Sequence, residues 1–243
     1  MVRTQRKSVP LGPGLRRAPS SGPEAENRVV ATVLNAIRDL RVRPGARLVE
    51  REIALSSGGS RLAVRNGLLR LAESGLVELS PNRGATIATS SPREAHYVFE
   101  ARQIIEAALL RQLARKATAE AIARLRSFVE DERQAYAAGR IADARRLSRE
   151  FHLLLAELGG NTVLSGFLKD LIEKQPLLPW WQNRSRACFC GNDAHAGIVA
   201  AIECADADAA VERNSRHLDE LESRLIAEGE ADGEMVAVAP AGS

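Results

Sequence analysis

Three features of the sequence predict a mainly α-helical chain, with an N-terminal winged helix-turn-helix followed by an antiparallel bundle of six or seven helices. Ala, Leu, Arg and Glu dominate the 243 residues while aromatic residues make up only 4%, a composition that favours helix. Three short helical patterns are followed by two alternating runs across a turn, the order of a winged helix-turn-helix. From Ser91 onward apolar residues recur at three- and four-residue steps, as in a helical bundle.

The length allows one large domain or two small ones, and 45% hydrophobic content supports buried cores. Charge is uneven along the chain. Residues 1–26 hold 5 basic and 2 acidic side chains, residues 27–90 hold 10 and 5, and residues 91–243 hold 19 and 24. A basic first third joined to an acidic remainder predicts that only the first part meets a polyanion. No apolar run reaches 18 residues, and the basic, proline-containing N-terminus lacks the apolar core of a signal peptide, so a soluble cytoplasmic protein with no membrane partner is expected. Three cysteines, Cys188, Cys190 and Cys204, lack the pattern of a disulfide framework, and the pair in "CFC" is a weak signal for a soft metal.

Residues 1–26 are rich in Pro, Gly, Ser and Arg without an apolar period, the composition of a disordered basic arm. A DNA-binding domain is expected over 27–90. Val29, Val30, Val33, Leu34, Ile37 and Leu40 mark one face of a first helix, which Arg43-Pro44-Gly45 ends. A second helix is expected over about Glu50–Ser56. Ser60 then caps a third helix that turns Val64, Leu68 and Leu71 inward. "LVEL" and "ATIAT" alternate on either side of "SPNRG", giving a two-stranded wing. An all-helical domain is expected over 91–229, opened by Ser91, Pro92 and Glu94 at cap and first-turn positions and carrying Val98, Ile105, Leu109 and Leu113 on its first apolar stripe. Residues 230–243 are expected to form a flexible tail.

In a helix-turn-helix the second helix of the pair enters the major groove with its N-terminal end nearest the bases. That end carries Ser60, Arg61 and Arg65, with the two arginines four residues apart on the face opposite Val64 and Leu68. A guanidinium can pair with guanine O6 and N7 through two parallel hydrogen bonds. Arg51 on the preceding helix and Arg83 at the wing tip, beside Gly84, suit backbone or minor-groove contacts. The same segment used for protein contacts is the alternative.

The segments "RPGARLVEREIA", "SRLAVRNGLLRLAESGLV" and "PNRGATI" resemble the DNA-binding signature of the GntR family of bacterial transcription regulators, and the bundle resembles that of its FadR-type branch, the FCD domain. The resemblance spans about residues 27–227. It implies that Arg51, Ser60, Arg61, Arg65 and Gly84 contact a double-stranded DNA operator. Leu62-Ala63 stands in place of the usual Thr-Pro and Asn66-Gly67 in place of Glu-Ala, which bears on operator preference. Gly67 alone costs about 1 kcal/mol against Ala in a helix interior.

His152, His195 and His217 fall on three different predicted helices amid apolar residues. Converging, they would suit a divalent ion such as zinc or nickel; apart, each is simply a packed histidine. The resemblance implies that they are three metal ligands and that a fourth, usually Asp, lies four residues before the first; here that residue is Ser148. It also implies that Arg102 faces a carboxylate effector, although an internal ion pair with Glu106 explains the residue equally well. Asn161 reads as a helix cap, His96 as an exposed surface residue, and Trp180 and Trp181 as core or pocket lining.

These readings together predict a homodimeric, ligand-responsive transcription regulator, a repressor, that senses a small carboxylic acid and has no enzymatic activity. The rivals are a regulator with a metal-free or lost effector site, and a three-histidine metal-dependent hydrolase.

Overall fold

A computed structural model describes residues 20–81, 84–177 and 192–236. They divide into two compact units, a head running to Ser90 together with Pro176 and Leu177, and a bundle made of Ser91–Gln175 and the described residues from Asn192 on.

The head is built from α1 (Pro23–Arg38), β1 (Arg47–Leu48), α2 (Glu50–Ser57), α3 (Arg61–Glu73), β2 (Val77–Ser80) and β3 (Gly84–Ile87). Helix α1 starts four residues earlier than its apolar pattern indicates, so residues 23–26 are helical rather than part of an arm. Pro23 occupies the first turn, and Glu24 and Glu26 lie at the positive end of the helix dipole, signals that an arm-like composition hides. The wing also differs from expectation, because β1 adds a third antiparallel strand in the order β1-β3-β2. Val77 faces Ile87 across the hairpin, and Arg47 faces Thr86 on the other side of β3. Two residues are too few to show a strand period, which is why the sequence does not reveal β1.

Val29, Val33 and Ile37 of α1, Ile53 of α2, and Val64, Leu68 and Leu71 of α3 form the head's core with Val77, Ile87 and Leu177. Gly67 has a reason here. A Cβ built on it would lie 2.5 Å from Cγ1 of Val29, so only glycine lets α3 cross α1 this closely. Asn66 reinforces the crossing by donating from Nδ2 to Glu26 Oε1 at 2.7 Å.

The bundle's described helices are α4 (Pro92–Lys116), α5 (Ala119–Ala137), α6 (Ile141–Gly159), α7 (Thr162–Lys174), α8 (Asn192–Glu203) and α9 (Ala207–Val236). Ser91 and Glu94 form a reciprocal capping box on α4, and Asn161 caps α7 by accepting from Leu164 N at 3.1 Å. Leu110, Leu113, Leu125, Phe151, Leu155, Ile198 and Ile202 make the larger apolar cluster; Leu109, Ala156, Leu168 and Ile172 make a second. The buried face of α4 is set by Ala95, Phe99, Arg102, Glu106 and Leu109, whereas Val98 and Ile105 are only half-buried. Helix α9 runs to Val236, so residues 230–236 are helical and not tail. Cys188, Cys190, Trp180 and Trp181 lie outside the described residues.

Candidate functional site

The N-terminal end of α3 is organised by its cap. Ser60 Oγ accepts from Ala63 N at 3.2 Å and from Ser21 Oγ at 2.7 Å, leaving its own O–H able to donate outward. Arg61 projects into solvent and makes no ion pair with a described residue. Arg65 is 69% exposed and approaches Glu50 only at 3.7 Å, a contact too long and too wet to hold it. Leu62, between them, is 62% exposed. Arg51 is exposed on α2. Arg83 lies outside the described residues, but Gly84 has a φ of 83°, a backbone that favours glycine. One residue here carries no signal in the sequence: Arg47 on β1 is exposed, and its Nη2 lies 4.0 Å from where a Gly84 side chain would begin. Its membership of the wing becomes visible only once β1 pairs with β3.

A second group of candidate side chains lies inside the bundle. His152 of α6, His195 of α8 and His217 of α9 converge, with one ring nitrogen from each lying within 4.8 Å of the others. All three are buried, and Nε2 of His195 lies 3.2 Å from Nε2 of His217. Phe151 stacks on His195 with ring centres 4.2 Å apart and holds its plane.

Two carboxylates set the tautomers. His152 Nδ1 donates to Glu106 Oε2 at 2.8 Å, and His195 Nδ1 donates to Glu132 Oε2 at 2.7 Å, which turns the Nε2 lone pair of each ring toward the cluster. Asn214 Nδ2 also donates to Glu106 Oε2, at 3.1 Å. Burial opposes ionisation of Glu106, but the charge of Arg102 and the hydrogen bonds around it hold its pKa down to about 2. Burial depresses the pKa of His152, and Arg102 adds to that depression while Glu106 opposes it, so the imidazole stays neutral. An imidazole whose Nδ1–H is committed to a carboxylate has the donor chemistry of a divalent-metal ligand, as at His152 and His195. Two nitrogens each about 2.1 Å from a tetrahedral zinc lie about 3.4 Å apart, close to the 3.2 Å between Nε2 of His195 and Nε2 of His217. The three histidines therefore form a group that could hold a metal ion.

Arg102 satisfies its internal reading and leaves a remainder. Nε donates to Glu106 Oε1 at 2.9 Å and Nη1 to Gln175 Oε1 at 3.2 Å, while buried Nη2 has no hydrogen-bond partner among the described residues. Ser148 is buried one turn before His152 on α6. Glu132, Asn214 and Gln175 are not legible as site residues in the sequence, since nothing marks a glutamate on an amphipathic helix as facing inward. His96 is exposed as expected, and its Nδ1 lies 2.7 Å from Glu222 Oε1.

A winged head with exposed arginines at the N-terminus of α3, carried on one chain with a helical domain that buries ionisable groups, has the layout of a DNA-binding transcriptional regulator. The chain belongs to the GntR family of bacterial regulatory proteins: that family's model matches residues 25–87 and the FCD domain model matches residues 97–220. It is 30% identical over 146 residues to the Nta operon transcriptional regulator of Aminobacter aminovorans, covering 58% of this chain and 68% of that one. It is 26% identical over 185 residues to the transcriptional repressor RspR of Escherichia coli, covering 74% and 79%. In fold it is similar to McbR/YncC of E. coli, with a TM-score of 0.76 at 18% identity over 85% of this chain and 99% of that chain. A GntR regulator from Rhodococcus sp. RHA1 gives a TM-score of 0.74 at 20% identity, over 84% and 99%. No described helix is long and apolar enough to cross a membrane.

Proposed function

We propose that this regulator is a cytoplasmic homodimeric repressor whose operator affinity is controlled by a small carboxylic acid bound in the helical bundle at a zinc or nickel ion. The observation that carries this reading is the convergence of His152, His195 and His217, with Glu106 and Glu132 holding two of the rings. A divalent ion at these nitrogens would supply a Lewis-acidic centre for carboxylate oxygens. Arg102 would offer its unpartnered Nη2 and Ser148 its hydroxyl to the same ligand, making up for the absence of a protein carboxylate at position 148.

On the DNA side, Arg61 and Arg65 read base edges, while Ser60, Arg51, Arg83 and the backbone at Gly84 contact the duplex backbone. Two heads in a dimer would meet two half-sites of a pseudo-palindrome. Ligand control requires that the acid bind the DNA-competent and DNA-incompetent arrangements with different affinity. Repression is favoured because RspR and the NanR protein of Cronobacter sakazakii, 27% identical over 234 residues, are both named repressors. The hydrolase reading has less support, because each of the two glutamates beside the histidines has an oxygen engaged with a ring Nδ1 proton.

The test is metal analysis of protein purified without a histidine tag, joined to gel shifts on the DNA flanking its own gene. The reading predicts one ion per chain, its loss in the His152→Ala variant, and release of DNA by a carboxylic acid only in the metal-loaded form. A metal-free wild type that still responds to the acid would overturn the metal assignment; DNA binding unmoved by any acid would overturn sensing.

A further inference from the structure

Nη2 of Arg102, Oε1 of Glu132 and Oδ1 of Asn214 are buried in the bundle and have no hydrogen-bond partner among the described residues. Arg102 is 0% exposed, and Glu132 and Asn214 are each 1% exposed. Their remaining polar atoms tie all three to the histidine cluster. Glu132 Oε2 accepts from His195 Nδ1 at 2.7 Å. Asn214 Nδ2 donates to Glu106 Oε2, which also accepts from His152 Nδ1, and Asn214 stands one turn before His217 on α9. Arg102 Nε donates to the other oxygen of Glu106. The unpartnered atoms therefore belong to one hydrogen-bonded network built around the three rings.

Glu106 fixes which atom of the Asn214 amide is left over. Its carboxylate only accepts, so the NH2 group must turn to it and Oδ1 remains an acceptor in need of a donor. The unpartnered atoms thus call for two kinds of chemistry. Nη2 of Arg102 is a donor and suits the carboxylate that the proposed function brings to it. Oε1 of Glu132 and Oδ1 of Asn214 are acceptors, and neither a carboxylate nor a hydrocarbon chain can satisfy them. A buried acceptor without a donor is costly, so a ligand that brings an O–H or N–H is favoured over one that brings neither.

We propose that the effector is a carboxylic acid that also carries a hydroxyl or ammonium group, and that Glu132 and Asn214 select it by accepting hydrogen bonds from that group. This rests on the bundle being the acid-sensing site. Arg102 then recognises what all such acids share, while Glu132 and Asn214 discriminate among them. A site built to hydrogen-bond a ligand group rejects the analogue that lacks it more sharply than an apolar site rejects a change of size.

The experiment titrates the full chain, with equimolar zinc present, by calorimetry against matched acids. The sets are propionate, lactate and alanine; succinate, malate and aspartate; and hexanoate and gluconate. In at least one set the hydroxy or amino member should bind at least tenfold more tightly than its unsubstituted partner, and the tighter of the two identifies the donor. Asn214→Ala and Glu132→Gln should each bring that ratio toward one, whatever they do to absolute affinity. Gln keeps an oxygen for His195 Nδ1 but replaces the second acceptor with an NH2 group. A purely structural role would weaken both members of a set together and leave the ratio standing. Should neither variant fold, the ratio in the wild type still decides. Unsubstituted acids that bind as tightly as their partners in every set would mean that water satisfies the two acceptors, and would overturn this inference alone. A preference that survives in both variants would do the same. If no acid of any set binds, acid sensing itself fails and the inference fails with it.

Discussion

In the head, Arg61 and Arg65 extend into solvent, one without an ion pair among the described residues and the other 3.7 Å from an exposed glutamate. In the bundle, Arg102 is fully buried, with Glu106 and Gln175 on two of its nitrogens and Glu106 in turn joined to His152 and Asn214. The same residue type is used oppositely. An exposed arginine contributes about 0–1 kcal/mol to its own fold and stays available to a partner, whereas a buried one makes the fold depend on its counter-charge. Surface arginines can therefore be tested through binding, and the bundle's network through stability.

The largest effect belongs to Glu106. Changing it to Ala leaves Arg102 buried without its carboxylate, which costs about 3–5 kcal/mol, measurable as a shift in the urea midpoint at constant slope. The same network fixes the acid response. Glu106 ionises at about 2 in the fold against 4.5 ordinarily, so its contribution is present above pH 4.5 and is lost as pH falls toward 2. His152 acts in the same direction, because below its ordinary 6.5 the unfolded chain takes up a proton that the buried ring resists. Stability should fall monotonically from about pH 6.5 downward, and the Glu106→Gln variant should flatten the part below 4.5. A stability maximum at about pH 4 would break the comparison.

Next in size are Arg61→Ala and Arg65→Ala, each expected to weaken operator binding by about 1–3 kcal/mol while leaving the urea midpoint of the protein unmoved. Fluorescence anisotropy on an operator selected from random duplexes checks this. Unfolding shifts as large as the binding losses would mean these arginines serve the head and not DNA.

How legible each region is in the sequence follows from the same contrast. The cap Ser60, the outward Arg61 and Arg65 and the inward Val64 and Leu68 can be read from spacing alone, since a surface helix shows its two faces through polarity. On α4 that rule misleads. Arg102 and Glu106 sit on the buried face with Phe99 and Leu109, so polarity points the wrong way, and Val98 and Ile105 only half fill the core role that their spacing predicts. The three histidines are visible as candidates, but Glu132 and Asn214 are not, because a hydrogen bond across 63 residues leaves no local trace. Gly67 is legible only as a cost of about 1 kcal/mol, and the crossing of α3 over α1 turns it into a requirement.

That requirement gives a smaller prediction. Gly67→Ala should destabilise the head by about 1–3 kcal/mol despite the better helix propensity of alanine, because its Cβ meets Val29 Cγ1 at 2.5 Å and Cβ at 2.9 Å. Val29→Ala in the same chain should recover part of the loss, which a double-mutant cycle would measure. Additive losses would mean that α1 simply moves away.

Leu62→Thr is expected to have the smallest effect on stability, within about 0.5 kcal/mol, because the side chain is 62% exposed at the start of α3. Its effect should lie in which DNA is chosen. A leucine between Arg61 and Arg65 has no hydrogen bond to offer a base edge, but it can pack against the thymine methyl group in the major groove. Operators selected from random duplexes by the wild type should carry a thymine that the threonine variant no longer requires. Deoxyuridine at that position, which lacks only the methyl group, should weaken the wild type and leave the variant unaffected. Equal response to thymine and deoxyuridine by the wild type would show that Leu62 faces away from the bases, and would return operator choice to the two arginines alone.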